Sequence, residues 1–287
     1  MNIRKFYLKT LFLVFVIFNL IGCSSSKDIK ASNKTDTKAY TKTEKHNYPV
    51  EDTWETERDH IGMLAAYSAV YKGWQENNAR GYNIGSVLLN NKTKDGRLVF
   101  WGLNSNNITR NETQHGEVRL MIGYLSKLQK ERSKHKSVPD IQTLKEHTIY
   151  TTLEPCAQCS GMMTLQNVFR TVYGQKDPGF GDALERLQLN SLPNGYEPYP
   201  RAVKSDRSDI SYCSQLEEGY SKYKPNHENP HITDYLKSNE AKAIFASAYK
   251  EFMNYKPIYS DNNDFYKDAK GLINSVPKEF VPLNPMI

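Results

Sequence analysis

The stretch "TTLEPCAQCSGMM", Thr151 to Met163, constrains this chain more than any other. It places Cys156 and Cys159 two residues apart, directly after Pro155, in a sequence with only 4 cysteines. A pair so spaced does redox chemistry, binds a metal or simply fills space. Some forty residues upstream stands "HGE", His115 to Glu117. Each motif opens a stretch with helical periodicity, so two helix N-termini facing each other would bring one imidazole and two thiols together. Cys156 and Cys159, three residues apart, would share one helical face, and the positive end of the helix dipole favours their thiolates.

A His/Cys/Cys set leaves the fourth tetrahedral position of Zn²⁺ open, which is the arrangement of a catalytic site rather than a structural one. A metal held there brings the pKa of water toward 7. Glu117, two residues after the histidine, is then expected to move protons and not to ligate the ion. A Cys156–Cys159 disulfide remains a competing reading outside the cytoplasm, and Cys213 is expected to be a buried small apolar residue.

The pattern around these motifs is helix, two strands, helix, strand, helix, strand. "ERDHIGMLAAYSAVYKGWQENN" carries Ile61, Leu64, Ala65 and Ser68 at helical spacing and predicts an amphipathic helix. "YNIGSVLLNN" and "LVFWGLN" flank an Asp95-Gly96 turn and predict a hairpin. "HGEVRLMIGYLSKLQKERSKH" is a helix with basic residues near its end. "HTIYTTL" and "FRTVYGQ" are strands on either side of the helix that "PCAQCSGMMTLQNV" opens, with Pro155 in its first turn. This order implies an α/β sandwich on one sheet with a parallel crossover between the last two strands. The remaining histidines, His60, His135, His147, His227 and His231, form no second ligand set and are expected on loops or the surface. No GxGxxG, GxSxG or P-loop is present, so dinucleotide, serine-hydrolase and NTPase readings lack support.

Composition adds limits. At 38% apolar and 24% charged the chain is ordinary for a globular protein, and its net charge is +6. Three of those charges, Arg4, Lys5 and Lys9, lie in the first 22 residues, which hold no acid, so the rest carries +3. That balance does not favour a dedicated nucleic-acid binder. "MNIRKFYLK" followed by "TLFLVFVIFNLIG" has the form of a secretory signal, its apolar run of about 13 residues being short for a membrane span. "LIGC" before "SSSKD" resembles a bacterial lipobox, which implies lipidation (palmitate) at Cys23 and an extracytoplasmic protein anchored to a membrane of the cell envelope, the outer membrane among the options. An uncleaved anchor helix is the competing reading.

The segment from Ser24 to Val50 is rich in Lys, Thr and Ser and is expected to be a flexible tether. The organisation expected is therefore a signal peptide at 1–22, a tether at 23–53, a catalytic domain at 54–206 and a helical C-terminal extension at 207–287. The extension is expected to cap the domain, with "AKAIFASAYKEFM" as its clearest helix.

H-x-E followed by P-C-x-x-C resembles the signature of the zinc-dependent nucleobase deaminases. "TTLEPCAQCSGMM" with "VYGQKD" is most similar to the tRNA adenosine deaminase and guanine deaminase branches, over roughly Glu57 to Asp182. The resemblance implies a cytidine deaminase-like three-layer α/β/α sandwich with a central mixed sheet. It implies Zn²⁺ on His115, Cys156 and Cys159, with Glu117 as proton shuttle and hydrolytic release of ammonia from a base or nucleoside, a purine slightly favoured. By the same likeness Asn104, in "WGLN", would contact the base, although an asparagine in the run "NSNN" also suits loop capping; Ile84 and Gly85 would line the pocket, and Glu154 would be structural.

Three features depart from those relatives. Gly116 stands between the His and the Glu, residues 181–204 do not align, and an exported protein does not meet its cell's tRNA. An effector acting on foreign nucleic acid, or a binding lipoprotein without activity, are the rival readings. A homo-oligomer is left open by the sequence.

Overall fold

Apolar residues alternate between two faces along the central strands, and this alternation places a layer of helices on each side of the sheet. The computed structural model describes residues 53–92, 96–187 and 201–277. The expected signal peptide, the lipidation site Cys23, nearly all of the tether and the Asp95 turn lie outside the described residues. Residues 50–287 form one compact unit.

The elements in chain order are α1 (Trp54–Lys72), β1 (Gly85–Asn90), β2 (Arg97–Leu103), α2 (Asn106–Thr109), α3 (Gly116–Lys134), β3 (His147–Leu153), α4 (Ala157–Leu165) and β4 (Arg170–Gln175). These are followed by α5 (Ala183–Leu187), β5 (Lys204–Arg207), α6 (Ser211–Tyr223), α7 (Ile232–Tyr235), α8 (Asn239–Asn254) and α9 (Asn263–Asn274). The sheet runs β2-β1-β3-β4-β5. β1 is antiparallel to both β2 and β3, whereas β3, β4 and β5 are parallel, so the sheet is mixed as expected.

Val87 and Leu89 of β1 and Tyr150 of β3 point into one core, while Leu88 and Ile149 point into the other. The second core is covered by α3 and α4 through Leu120, Met121 and Met163. The first is covered by α1, whose Thr53 N-cap hydroxyl accepts from the Thr56 N–H at 3.3 Å and whose first turn carries Glu55 and Glu57.

Two expectations are corrected here. α1 is buried without interruption from Ile61 to Val70 instead of presenting a wet face, because α8 and α9 pack on the side that the sheet leaves open. A fifth strand, β5, extends the sheet beyond β4 and straddles the expected boundary at 206. The C-terminal helices are more than a cap. Phe245, Phe252 and Phe265 are fully buried in the same core as Leu64 and Val87, each stabilising the unit by about 2–3 kcal/mol.

Candidate metal centre

Both motif helices start where the chemistry sits. α3 has His115 as its N-cap and α4 has Cys156 as its N-cap, so Pro155 stands ahead of the helix and not in its first turn. Cys159 lies in the first turn of α4. Neither N-cap side chain makes a capping hydrogen bond, although a Ser, Thr or Asp there would contribute about 1 kcal/mol. Both are turned instead toward each other. Gln158 Nε2, donating to the Thr113 carbonyl at 2.8 Å, ties the start of α4 to the loop before His115. At Gly116 an added Cβ would lie 3.2 Å from the Gly102 carbonyl oxygen, so glycine lets the head of α3 sit tightly on β2.

The donor atoms form a small triangle. His115 Nδ1 is 3.5 Å from each sulfur, and the two sulfurs are 3.7 Å apart. Zinc bond lengths of about 2.1 Å to nitrogen and about 2.3 Å to sulfur give tetrahedral edges of about 3.6 Å and about 3.8 Å, so the residues present fit that ion. Cys156 and Cys159 are free thiols, so the disulfide alternative is not adopted.

The electrostatics fit a cation-binding donor set. The contact with Cys159, followed by that with His115, lowers the Cys156 thiol to about 4 against the effect of burial. The contact with Cys156 pushes the Cys159 thiol up, as does burial. The same Cys156 sulfur raises the imidazole of His115, while burial opposes it. Three donors sharing protons around one point are a set that a metal ion would relieve.

Glu117 is 3% exposed and lies beside this triangle, its Oε2 3.5 Å from Cys159 Sγ. Its Oε1 accepts the Thr151 hydroxyl at 3.0 Å, and Ser86 Oγ lies 3.1 Å from that hydroxyl. β1 and β3 therefore aim the carboxylate from beneath. Burial is the leading cause that holds the Glu117 carboxyl above its ordinary range.

His115, Glu117 and Cys156 open onto a pocket of about 1000 Å³, which Ile84 and Asn104 also line. The Asn104 side-chain oxygen accepts from the backbone N–H groups of Tyr82 at 3.1 Å and Asn106 at 3.3 Å, so the residue caps the loop and also faces the pocket. Gly85 is placed elsewhere: a Cβ there would meet Leu103 and Val70, on the side of α1. Glu154 is structural. It accepts from the N–H groups of Asp177 and Asp182 at 3.0 Å each and so holds the loop whose Phe180, 65% exposed, stands at the pocket wall.

Sequence reasoning missed the far wall, which includes Tyr220, Lys224 and His231 of the C-terminal region. The "NPH" punctuation at Asn229 to His231 marked a loop there, but nothing in it pointed to the pocket. His147, expected on a loop or the surface, is a buried residue of β3, 1% exposed. Cys213 is fully buried as expected, and it also accepts from the Tyr67 hydroxyl at 3.5 Å.

Residues 57–175 match the family described as the cytidine and deoxycytidylate deaminase zinc-binding region. The match takes in less than half of the chain. It spans β1 to β4 and both motif helices, and with the mixed five-stranded sheet it makes the fold cytidine deaminase-like. The chain is 31% identical over 87 residues to tRNA-specific adenosine deaminase 2 of Xenopus tropicalis, covering 30% of this chain and 48% of that protein. It therefore spans about half the length of that relative. It is 26% identical over 157 residues to the tRNA-specific adenosine deaminase of Agrobacterium fabrum, covering 54% of this chain and 91% of that protein. A solved guanine deaminase from Nitrosomonas europaea aligns at 13% identity over 68% of this chain and 84% of its own, with a TM-score of 0.34. The match ends at residue 175, so Phe180 and the Tyr220–His231 wall lie beyond it.

Proposed function

We propose that this chain is a zinc-dependent hydrolytic deaminase of a nucleobase or nucleoside, with a purine favoured over a pyrimidine. The observation that carries the reading is the buried Glu117 carboxylate set 3.5 Å from Cys159 Sγ, beside a His/Cys/Cys triangle with zinc-sized edges, at a pocket of about 1000 Å³. The likeness to adenosine deaminases acting on tRNA supports the choice of a purine.

Zinc held by His115, Cys156 and Cys159 would supply the Lewis acidity that makes water a nucleophile near neutral pH. In the net reaction the oxygen of water bonds the amidine carbon, the C–N bond breaks and ammonia leaves. One proton of water ends on ammonia and the other on the ring nitrogen. Glu117, fixed by Thr151, is the group that carries these protons. Asn104 orients the ring from the pocket wall.

The substrate is read as a small molecule, since five carboxylates, Glu112, Glu117, Glu154, Asp177 and Asp234, face the pocket against Lys224 and His231. That balance disfavours a phosphate-rich strand. The sequence around Cys23 supports an exported, lipid-anchored protein. Cys23→Ser should release it from the membrane fraction, and an unchanged membrane association would reject the anchor.

The test of the activity is ammonia release from a panel of nucleobases and nucleosides, with Glu117→Ala as the blank. One equivalent of zinc and Glu117-dependent ammonia are expected. A zinc-loaded protein that releases no ammonia from any compound would leave only a binding lipoprotein.

A further inference from the structure

Arg80 is 2% exposed, which is rare for an arginine without an acidic partner. Among the described residues no carboxylate pairs with it, and its Nε has no hydrogen-bond partner. Burial lowers its pKa to about 10, and the neighbouring cation Arg119 adds to the effect, so it stays charged at neutral pH. A buried, uncompensated cation is costly, and its two contacts show what it holds in place. Nη2 donates to the carbonyl of Gly73, the C-cap of α1, at 3.1 Å. Nη1 donates to the main-chain carbonyl of Asn104.

The rest of the 80–84 segment closes on the same residue. The Asn104 N–H donates to the Ile84 carbonyl at 3.0 Å, and its Oδ1 accepts the Tyr82 N–H at 3.1 Å. Gly81 packs so closely that a Cβ would collide with Oδ1. Asn106 N–H is a second donor to that oxygen, at 3.3 Å. Backbone N–H groups can only donate, so the amide oxygen must face them and Nδ2 must face the other way. Among the described residues Nδ2 has no protein partner, and Asn104 lines the pocket beside His115 and Glu117.

We propose that Arg80 is a positioning residue: with the 80–84 segment it locks Asn104 so that its amide meets the ligand only as a donor. The ligand must then offer a hydrogen-bond acceptor, a ring nitrogen or a carbonyl oxygen, at that point. This inference rests on the deaminase reading for the identity of the ligand, whereas the lock itself is a property of the fold.

The test is a two-by-two cycle of Arg80→Met with Asn104→Asp, with Arg80→Lys as the conservative variant. Asn104→Asp keeps an acceptor for both backbone N–H groups and removes the donor. Kd for the bases of the panel is measured by calorimetry on zinc-loaded protein carrying Glu117→Gln, and KM and kcat are measured with Glu117 intact. Arg80→Met should weaken binding and raise KM about tenfold, as loss of one hydrogen bond does, while kcat stays within about threefold. In the Asn104→Asp background the same change should have no further effect, and Arg80→Lys should restore part of the loss. If Arg80→Met does not fold, Arg80→Lys carries the cycle with a smaller expected effect. Equal losses in both backgrounds, or an unchanged Kd, would overturn the proposal, because a merely structural arginine acts without regard to Asn104. Bases that bind while no ammonia is released would sink the deaminase reading alone. Binding by no base at all would sink both.

Discussion

Thr151 and His147 sit on the same strand and should fail in different ways when changed. Thr151→Val keeps the shape and strand preference of the residue but removes the hydroxyl that Glu117 accepts. kcat should fall about tenfold with little change in KM, the size expected for one lost hydrogen bond to a charged group, and steady-state kinetics would show it. His147 is held neutral by burial, its pKa lowered to about 4, with the Tyr124 hydroxyl 3.3 Å from Nε2 and the charges of Glu146 and Lys92 nearby. The unfolded chain binds a proton near pH 6.5 that the folded one refuses until about pH 4. Stability from this group is therefore fully present above pH 6.5 and is lost as pH falls from there toward 4, by up to about 3 kcal/mol. Urea midpoints between pH 7 and 4.5 should fall less steeply for His147→Asn than for the parent chain. The His115, Cys156 and Cys159 triangle and the neighbouring Glu117 could be picked out from sequence because H-x-E and P-C-x-x-C are dense in rare residue types. Their place at the heads of two helices was legible too, but not that His115 and Cys156 occupy the N-cap positions themselves, with Pro155 ahead of its helix.

At the scale of elements, Glu57 in the first turn of α1 fastens the segment before α9. It accepts from the N–H groups of Ile258 and Tyr259, from Asn262 Nδ2 at 2.8 Å and from the Tyr255 hydroxyl at 3.1 Å. Burial pushes its carboxyl upward, yet these bonds outweigh it and the pKa is lowered. Glu57→Ala would leave buried donors without acceptors and should cost about 2–4 kcal/mol, read as a lower melting temperature. The long periodic elements were legible, as "HTIYTTL" coinciding with β3 shows. β5 was not, because "KSDR" is short, polar and at the sheet edge, where pairing with β4 and not side-chain pattern makes the strand. α6 hid its apolar stripe, Cys213, Leu216 and Tyr220, among tyrosines and charges.

Across the whole molecule, the expected division at 206 and 207 cuts through a shared core. A fragment ending at 206 would lose Phe245, Phe252 and Phe265 from the face of α1 and should fail to give a fixed tertiary structure. Near-UV circular dichroism and cooperative thermal unfolding are the measurements, and a native-like melt from that fragment would show the two parts to be independent. Chelation should lower the melting temperature of the full chain and abolish ammonia release, and zinc should restore both.

The pocket is assembled from two separate stretches of the chain, one inside the family match and one beyond it. The amino-terminal stretch supplies His115, Glu117 and Cys156, while Tyr220, Lys224 and His231 arrive from a separate one. Rewriting the later stretch alone should therefore reshape what the cleft admits while the donor triangle stays untouched.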